Sequence, residues 1–449
     1  MTDAPRLPDP PRPFHLMAKP TGAICNLDCA YCYFLSKELL FPGSRFRMAR
    51  DTLERYVEQY LSAQPPGEVT FAWQGGEPTL LGLPFFELAV ELQRQHCPPG
   101  RRIVNTIQTN GTKLDDDWCR FFRQNEFLVG ISLDGPRDLH DAYRVDKAGN
   151  GSFDRVMAGV RLLARHGVEF NVLTTVHAAN QGEPLRVYHF LRDEVGARFV
   201  QFIPIVELDN DTGFQEGREV TARSVDARAY GAFMNAIFDE WVQRDVGRVF
   251  VQLFDVTLGN HVGAPGGLCV FQETCGSALA LEHTGDVYSC DHYVEPAHHV
   301  GNLHELPLAR MIDDERQVAF GLAKRDTLPR QCLACDVRSL CHGGCPKDRI
   351  RHTADGEDGL NYLCEGYYAF FTHTGPLMRF MAEELRHHRP PANVMAYLAR
   401  QGATAAPVGP AHATSPPRVM AGEPRTSMSR NAPCPCGSGR KRKHCCQRA

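Results

Sequence analysis

Cys25-Asn26-Leu27-Asp28-Cys29-Ala30-Tyr31-Cys32 sets three cysteines at C-x3-C-x2-C, and the next strand-like run, Val69–Trp73, is followed by Gln74-Gly75-Gly76-Glu77-Pro78. Three thiolates can hold three irons of a [4Fe–4S] cluster and leave the fourth open to a ligand. On spacing alone, a zinc site lacking its fourth ligand is the alternative. Two glycines let the backbone approach a bound group closely, and the Glu77 carboxylate can accept hydrogen bonds from an amino group. A lone Gly-Gly-Glu-Pro is more often just a turn; following a C-x3-C-x2-C loop by one strand, it is a specific signal.

Outward from this stretch the chain alternates. Apolar runs rich in β-branched and aromatic residues read as strands at Val69–Trp73, Ile103–Gln108, Leu128–Leu133, Phe170–Val176 and Phe199–Pro204. Helical periodicity fills Asp51–Ala63, Pro84–His96, Asp115–Gln124, Phe153–His166 and Glu183–Val195. This is an α/β pattern of parallel βα units, which fits a full or partial barrel or an open doubly wound sheet. Polar motifs just after successive strands, Gly75–Pro78, Thr109–Gly111 and Asp134–Gly135, favour the barrel, whose strand ends share one catalytic face. A further helix is expected over Val225–Arg244 and another over Phe370–Arg386.

Length and composition bound the rest. The 449 residues suggest two to three domains, and 43% apolar with 23% charged residues is ordinary for a globular protein. No run approaches a membrane span and no secretory h-region opens the chain, so no membrane association is expected and the cytoplasm is the expected compartment. There, seventeen cysteines point to metal or clusters rather than disulfides. Eight of them, Cys269, Cys275, Cys290, Cys332, Cys335, Cys341, Cys345 and Cys364, are enough for two fully ligated clusters, with one or two structural zincs as the alternative. The segment carrying them, from about Gly259 to Tyr367, reads as a domain of short elements organised by its ligands. Cys97 and Cys119 read as structural thiols, and the pairs His298/His299 and His387/His388 as solvent-facing.

With Cys25–Phe34 and Trp73–Leu80 in view, the chain resembles the radical S-adenosylmethionine (SAM) superfamily. The resemblance implies a partial (β/α)6 TIM-like barrel over residues 14–245, with SAM chelating the open iron. It implies that Gly75, Gly76 and Glu77 hold the SAM amino group and that Tyr31 lies near adenine. The order of the eight later cysteines resembles the SPASM extension, over residues 259–386. By that pattern Cys269, Cys275, Cys290 and Cys345 hold one auxiliary [4Fe–4S] cluster, and Cys332, Cys335, Cys341 and Cys364 the other, making three clusters in all.

Further motifs narrow the likeness to the anaerobic sulfatase-maturating enzymes: Gln108–Thr112, Gly130–Pro136, His140–Arg144, Gln201–Pro204 and Ser289–Val294. In that family Ser132, Arg144 and Ile205 would contact SAM, and Asp291 would be the general base, while a carboxylate after a cysteine read without the family is more often a solvated turn residue. The implied reaction is oxidation of a cysteine or serine in an unfolded sulfatase polypeptide to Cα-formylglycine, with a reduced flavodoxin or ferredoxin as electron donor. A SPASM enzyme forming a thioether, an epimer or a decarboxylated residue in another peptide is the first alternative. A non-catalytic iron–sulfur or zinc scaffold is the second, though a scaffold has no use for an open iron.

The C-terminus carries a third module. Residues 430–449 hold six Lys/Arg and no Asp/Glu, leaving the rest of the chain at −10. Its C-x-C-x8-C-C spacing resembles the SEC-C motif, which implies a zinc site of Cys434, Cys436, Cys445 and Cys446, with His444 as the alternative ligand. The basic run Arg440–Lys443 reads as a solvated face rather than a nucleic-acid patch; a chaperone, translocation factor or ribosome is the expected contact. Residues 401–429, heavy in Ala, Pro, Gly and Ser, read as a flexible linker.

Overall fold

The structure, a computed structural model, describes residues 12–210, 212–264 and 267–401, so the linker and zinc-motif expectations lie outside the described residues. One ten-stranded sheet organises the chain. Its strands are β1 (His15–Lys19), β2 (Glu68–Trp73), β3 (Arg102–Thr109), β4 (Leu128–Ser132), β5 (Phe170–Val176), β6 (Phe199–Pro204), β7 (Phe250–Val251), β8 (Ala278–Glu282), β9 (Asp286–Tyr288) and β10 (His299–Asn302). Strands β1 to β7 lie side by side in chain order, every neighbouring pair parallel. A doubly wound sheet would reverse its order at a switch point. Here the order never reverses, as the barrel reading requires.

The alternation within strands sorts the two faces. On β2, Val69, Phe71 and Trp73 are buried among the surrounding helices. The Trp73 ring lies 5.7 Å from both Tyr56 and Phe86 in edge-to-face contact, and its Nε1 donates to Asn105 at 2.9 Å. Each such side chain contributes roughly 1.5–3 kcal/mol by burial. On the other face stand smaller and more polar residues: Thr106 and Gln108 on β3, Gly130 and Ser132 on β4, Asn171 and Thr175 on β5. A core of aliphatic and aromatic groups would fill that face if it were structural; instead it is lined for a ligand.

The cysteine-rich segment prolongs this sheet. Strand β8 adds in parallel to the free edge of β1, and β9 and β10 follow as an antiparallel meander. Two elements there are longer than the sequence suggests. Glu315–Asp326 forms a twelve-residue helix whose apolar residues follow no clear helical period. The final long helix begins at Cys364 rather than Phe370 and runs to Arg386 through Pro376. Its start is hidden by Gly366, which lets it cross the helix Ala227–Arg244: a Cβ there would lie 2.1 Å from the Ala227 carbonyl oxygen. The expected helix Glu183–Val195 is instead Pro184–His189 followed by a π-helical turn, Phe190–Glu194.

Candidate active site

The loop after β1 carries Cys25, Cys29 and Cys32 to the C-terminal ends of the strands, where the β2 and β3 turns meet it. Backbone bonds Gly76 N–H to Gly22 C=O at 2.8 Å and Glu77 N–H to Ile24 C=O at 2.9 Å dock the Gly-Gly-Glu turn against the loop. The approach is so close that a Cβ on Gly76 would lie 2.1 Å from the Ile24 oxygen. Glu77 is fully buried, and its carboxylate accepts from Thr79 N–H, Thr79 Oγ1, Thr109 Oγ1 and Asn110 N–H. The carboxylate thus braces the β2 and β3 turns. Asn110 Nδ2 in turn stands 3.7 Å from Cys25 Sγ.

The three thiols lie close enough to raise one another. Burial comes first for each: it pushes Cys25 well above the usual thiol range and Cys29 up to about 12. For Cys32, burial outweighs the N–H groups of Phe34 and Leu35. Thiols held this way ionise together only against a compensating cation, which is the chemistry of a metal-cluster donor set. Nearby polar atoms are buried without a hydrogen-bond partner: Thr21 Oγ1, Asn171 Oδ1, Thr175 Oγ1 and His177 Nδ1, while His177 Nε2 faces Asp134 at 3.7 Å. Such atoms fit a polar ligand that would satisfy them.

Beside this loop, Arg144 makes a bidentate pair with Asp134, Nε to Oδ2 at 2.8 Å and Nη2 to Oδ1 at 3.1 Å. Tyr31 donates to the same carboxylate at 2.5 Å, with the guanidinium 5.4 Å from its ring centroid. Burial raises the Asp134 carboxyl, but Arg144 and His177 outweigh it and hold it far below the usual range. Ser132 accepts from Gln108 Nε2 at 3.0 Å, and Ile205 follows directly on β6. Of the SAM contacts that the resemblance implies, Arg144 and Tyr31 are therefore tied into one buried network, whose centre is Asp134, a residue that the sequence marked only as part of a polar strand-end motif.

Asp291 stands one residue beyond Cys290. It is buried, ion-paired to Lys19 at the end of β1, and accepts a hydrogen bond from Tyr33, the residue after Cys32. The Lys19 ammonium also lies 4.6 Å from the Phe34 ring centroid. Burial pushes the Asp291 carboxyl up, and Lys19 and the Tyr33 hydroxyl more than reverse this, so it stays an anion. The carboxylate thus sits at the seam between the first cysteine loop and the later cysteines. No role for Lys19 or Tyr33 was read from the sequence; a lysine closing the short strand His15–Lys19 and a tyrosine directly after Cys32 were the only signals.

The eight later cysteines separate by their mutual influence. Cys290 is raised by Cys345 and Cys269 after burial, Cys345 by Cys269, and Cys275 by Cys269. Cys341 is raised by Cys364, Cys332 and Cys335, and Cys364 by Cys332 and Cys335. Burial and these neighbours push Cys345 and Cys341 each to about 12. The second four line a cavity of about 660 Å³ with Arg338, Tyr368 and neighbouring residues. Among the described residues, no three Cys, His, Asp or Glu side chains are grouped as a single bound metal ion requires. His298 departs from the solvent-facing expectation: its ring lies 4.6 Å from Tyr293 and 5.5 Å from Phe320. Among the described residues, no helix is long and apolar enough to cross a membrane.

Three regions match known families: residues 20–191 the radical SAM superfamily, 269–336 an iron–sulfur cluster-binding domain, and 430–448 the SEC-C motif. The chain is 45% identical over 396 residues to the serine-type anaerobic sulfatase-maturating enzyme of Bacteroides thetaiotaomicron, covering 86% of this chain and 95% of that one. It is 32% identical to the cysteine-type anaerobic sulfatase-maturating enzyme of Clostridium perfringens, over 83% of this chain and 100% of that one. Among solved structures it resembles native anSMEcpe with bound AdoMet, at a TM-score of 0.75 and 32% identity, over 83% of this chain and 100% of that one.

Proposed function

The chain belongs to the anaerobic sulfatase-maturating enzymes of the radical SAM superfamily, and from that premise we propose how its own residues carry out the oxidation of a sulfatase serine or cysteine to Cα-formylglycine. SAM and iron–sulfur clusters are its cofactors. When bound, they supply one-electron chemistry that removes a hydrogen atom from the Cβ of the target residue.

In this reading Cys25, Cys29 and Cys32 hold the SAM cluster, and the backbone of Gly75 and Gly76 receives the SAM amino group while Glu77 braces both turns. Ser132, Arg144, Tyr31 and Ile205 shape the rest of the SAM pocket, with Asp134 fixing Arg144 and Tyr31. Cys269, Cys275, Cys290 and Cys345 hold one auxiliary cluster, and Cys332, Cys335, Cys341 and Cys364 the other, for three [4Fe–4S] clusters in all. Asp291 takes the proton from the target's hydroxyl or thiol. The observation that carries this reading is that carboxylate, buried beside Cys290 and kept ionised by Lys19 and Tyr33. Reduced flavodoxin or ferredoxin delivers the electrons. Cys434, Cys436, Cys445 and Cys446 hold zinc, and the tail that carries them contacts a chaperone, translocation factor or ribosome.

The target residue is serine. Supporting this, the serine-type enzymes of B. thetaiotaomicron and Klebsiella aerogenes are 45% and 39% identical to the chain, against 32% for the cysteine-type enzyme of C. perfringens. The test is anaerobic turnover with paired peptides bearing Ser-x-Pro-x-Arg or Cys-x-Pro-x-Arg, read by mass spectrometry for aldehyde and 5′-deoxyadenosine. Aldehyde on the serine peptide is the expected result; aldehyde on the cysteine peptide alone overturns the serine assignment. Asp291→Asn should still form 5′-deoxyadenosine while losing the aldehyde at least about a hundredfold, and full product from that variant removes the base role.

A further inference from the structure

Buried Lys324 and half-buried Arg349 stand among the eight later cysteines, and neither is used by the reaction as derived above; a third cation there, Lys347, is already paired with Asp348. Arg349 lies against the turn that joins Cys341 to Cys345, one cysteine from each group of four. That turn is left-handed throughout, with φ of 47° at His342, 72° at Gly343 and 63° at Gly344. This conformation presents two successive carbonyls to one guanidinium: Nη2 donates to His342 C=O at 3.1 Å and Nε to Gly343 C=O at 3.1 Å. Nη1 donates to the Lys324 carbonyl at 2.7 Å. The fit is close enough that a Cβ on Gly343 would lie 2.9 Å from Nη2.

All three of these bonds go to neutral carbonyls. The groups beside the guanidinium that turn negative as cluster thiolates are Cys332 and Cys341 from one set and Cys345 and Cys275 from the other. Lys324 is placed differently. Its ammonium donates to the carbonyls of Cys269, Val270 and Gln272, in the loop of one set only, and the thiols nearest it, Cys269, Cys275 and Cys345, all belong to that set.

We propose that Arg349 is the shared counter-charge of the two auxiliary clusters, making both easier to reduce, while Lys324 acts on the cluster of Cys269, Cys275, Cys290 and Cys345 alone. The proposal rests on the two-cluster reading above. A thiolate-ligated cluster is anionic and gains one more negative charge on reduction, so a fixed cation nearby favours the reduced form. A guanidinium suits this place because it stays charged when half-buried and its fork also holds the turn. Both residues are positioning and tuning groups; neither touches substrate.

The test is a redox titration of the full-length protein followed by electron paramagnetic resonance, in a background where Cys25, Cys29 and Cys32 are alanine so that only auxiliary clusters report. Iron analysis of that background comes first. About eight irons per chain is the content of two clusters, and about four or fewer overturns the two-cluster reading without touching the electrostatic argument. Arg349→Gln keeps an amide donor for the turn and loses the charge. It should lower both midpoints, the reduced-to-oxidised ratio at a fixed potential falling about tenfold, or about 59 mV for a one-electron couple. Lys324→Met should lower only one, and Arg349→Lys should stay near the parent values. Loaded Arg349→Gln protein with unchanged midpoints, or with only one moved, overturns the proposal. If Arg349→Gln fails to take up iron, Arg349→Lys decides: loss of iron there too assigns Arg349 to the fold alone.

Discussion

The buried ammonium of Lys19, the last residue of β1, is ion-paired with the carboxylate of Asp291, the residue after Cys290. Lys19 precedes the first cysteine loop by a few residues, and Tyr33, on the far side of that loop, donates to the same carboxylate. The position of Asp291 is therefore set by the barrel's first strand and not by its own loop alone. Strand β8 pairing along β1 is what brings the two together, His15 opposite Ala278 through Lys19 opposite Glu282.

Lys19→Met should consequently uncouple the reaction. A buried carboxylate left without its partner is destabilised by roughly 3–5 kcal/mol, and it relieves this by moving or by taking up a proton. The ratio of aldehyde to 5′-deoxyadenosine should fall about tenfold (~1.4 kcal/mol), with Lys19→Arg recovering much of it. Losing the ammonium raises the Asp291 carboxyl, so the deficit should deepen as pH falls. Peptide turnover with both products quantified checks this; an unchanged ratio in Lys19→Met removes Lys19 from the reaction.

The fold was legible where residues repeat with a period. Phe170–Val176, Phe199–Pro204 and Phe153–His166 appear with the bounds read from sequence, because alternating and helical apolar patterns survive in any packing that buries one face. Ligand spacing was legible too, since cysteines close in sequence stay close in space. The roles of Lys19, Tyr33, Asp134, Lys324 and Arg349 were not. Lys19 and Tyr33 meet Asp291, which is 272 positions after Lys19, and Lys324 meets the carbonyls of Cys269 and Gln272, pairings that no local pattern records; Asp134 and Arg349 have nearer partners, Arg144 and the His342 and Gly343 carbonyls, but only the folded turns aim them. The first turns of the helix starting at Cys364 were obscured by Gly366, a residue that weakens a helix unless tertiary contacts outweigh it.

Gly76→Ala should disable the first cysteine loop without unfolding the barrel. Its Cβ would meet the Ile24 oxygen at 2.1 Å, and the listener to that clash is backbone immediately before Cys25, which cannot rotate away. The loop or the Gly-Gly-Glu turn must shift by about an ångström, enough to cost roughly a hundredfold in a positioned reaction. Circular dichroism should match the parent while SAM binding weakens at least about tenfold, read by equilibrium dialysis. Parent-like SAM affinity in Gly76→Ala means that this contact does not shape the site.

His140 gives the fold an acid-sensitive point beside the Asp134 network. Its ring is fully buried, accepts from Asp134 N–H at 3.3 Å and lies 2.9 Å from Ser152 Oγ. Burial drops it to about 3 from an ordinary 6.5, so between those values the unfolded chain binds a proton that the folded chain does not. That contribution to stability is complete above pH 6.5 and is lost as pH falls toward 3, at up to about 1.4 kcal/mol per pH unit. His140→Gln, which cannot take up the proton, should melt lower near neutrality by roughly 1–3 kcal/mol but lose less on acidification. Melting midpoints at about pH 7.5 and about pH 5.5 for both proteins compare the two drops; equal drops remove His140 as the cause.

A chain ending at Gln401 should keep the whole peptide reaction. The described residues up to Gln401 form one compact unit, and the barrel, both groups of four cysteines and Asp291 all lie within it. The C. perfringens enzyme is matched along its entire length by 83% of this chain, so a part of this chain has no counterpart there. Iron content, SAM cleavage and aldehyde formation on a short peptide should therefore stay within about twofold of the full chain, less than about 0.4 kcal/mol in the barrier, while bound zinc disappears. The full chain should outperform the truncated one only on a nascent or chaperone-bound sulfatase, where a tail that docks elsewhere raises the local substrate concentration. If truncation abolishes aldehyde formation on the short peptide with iron content intact, the tail belongs to the active site and the division at Gln401 is wrong.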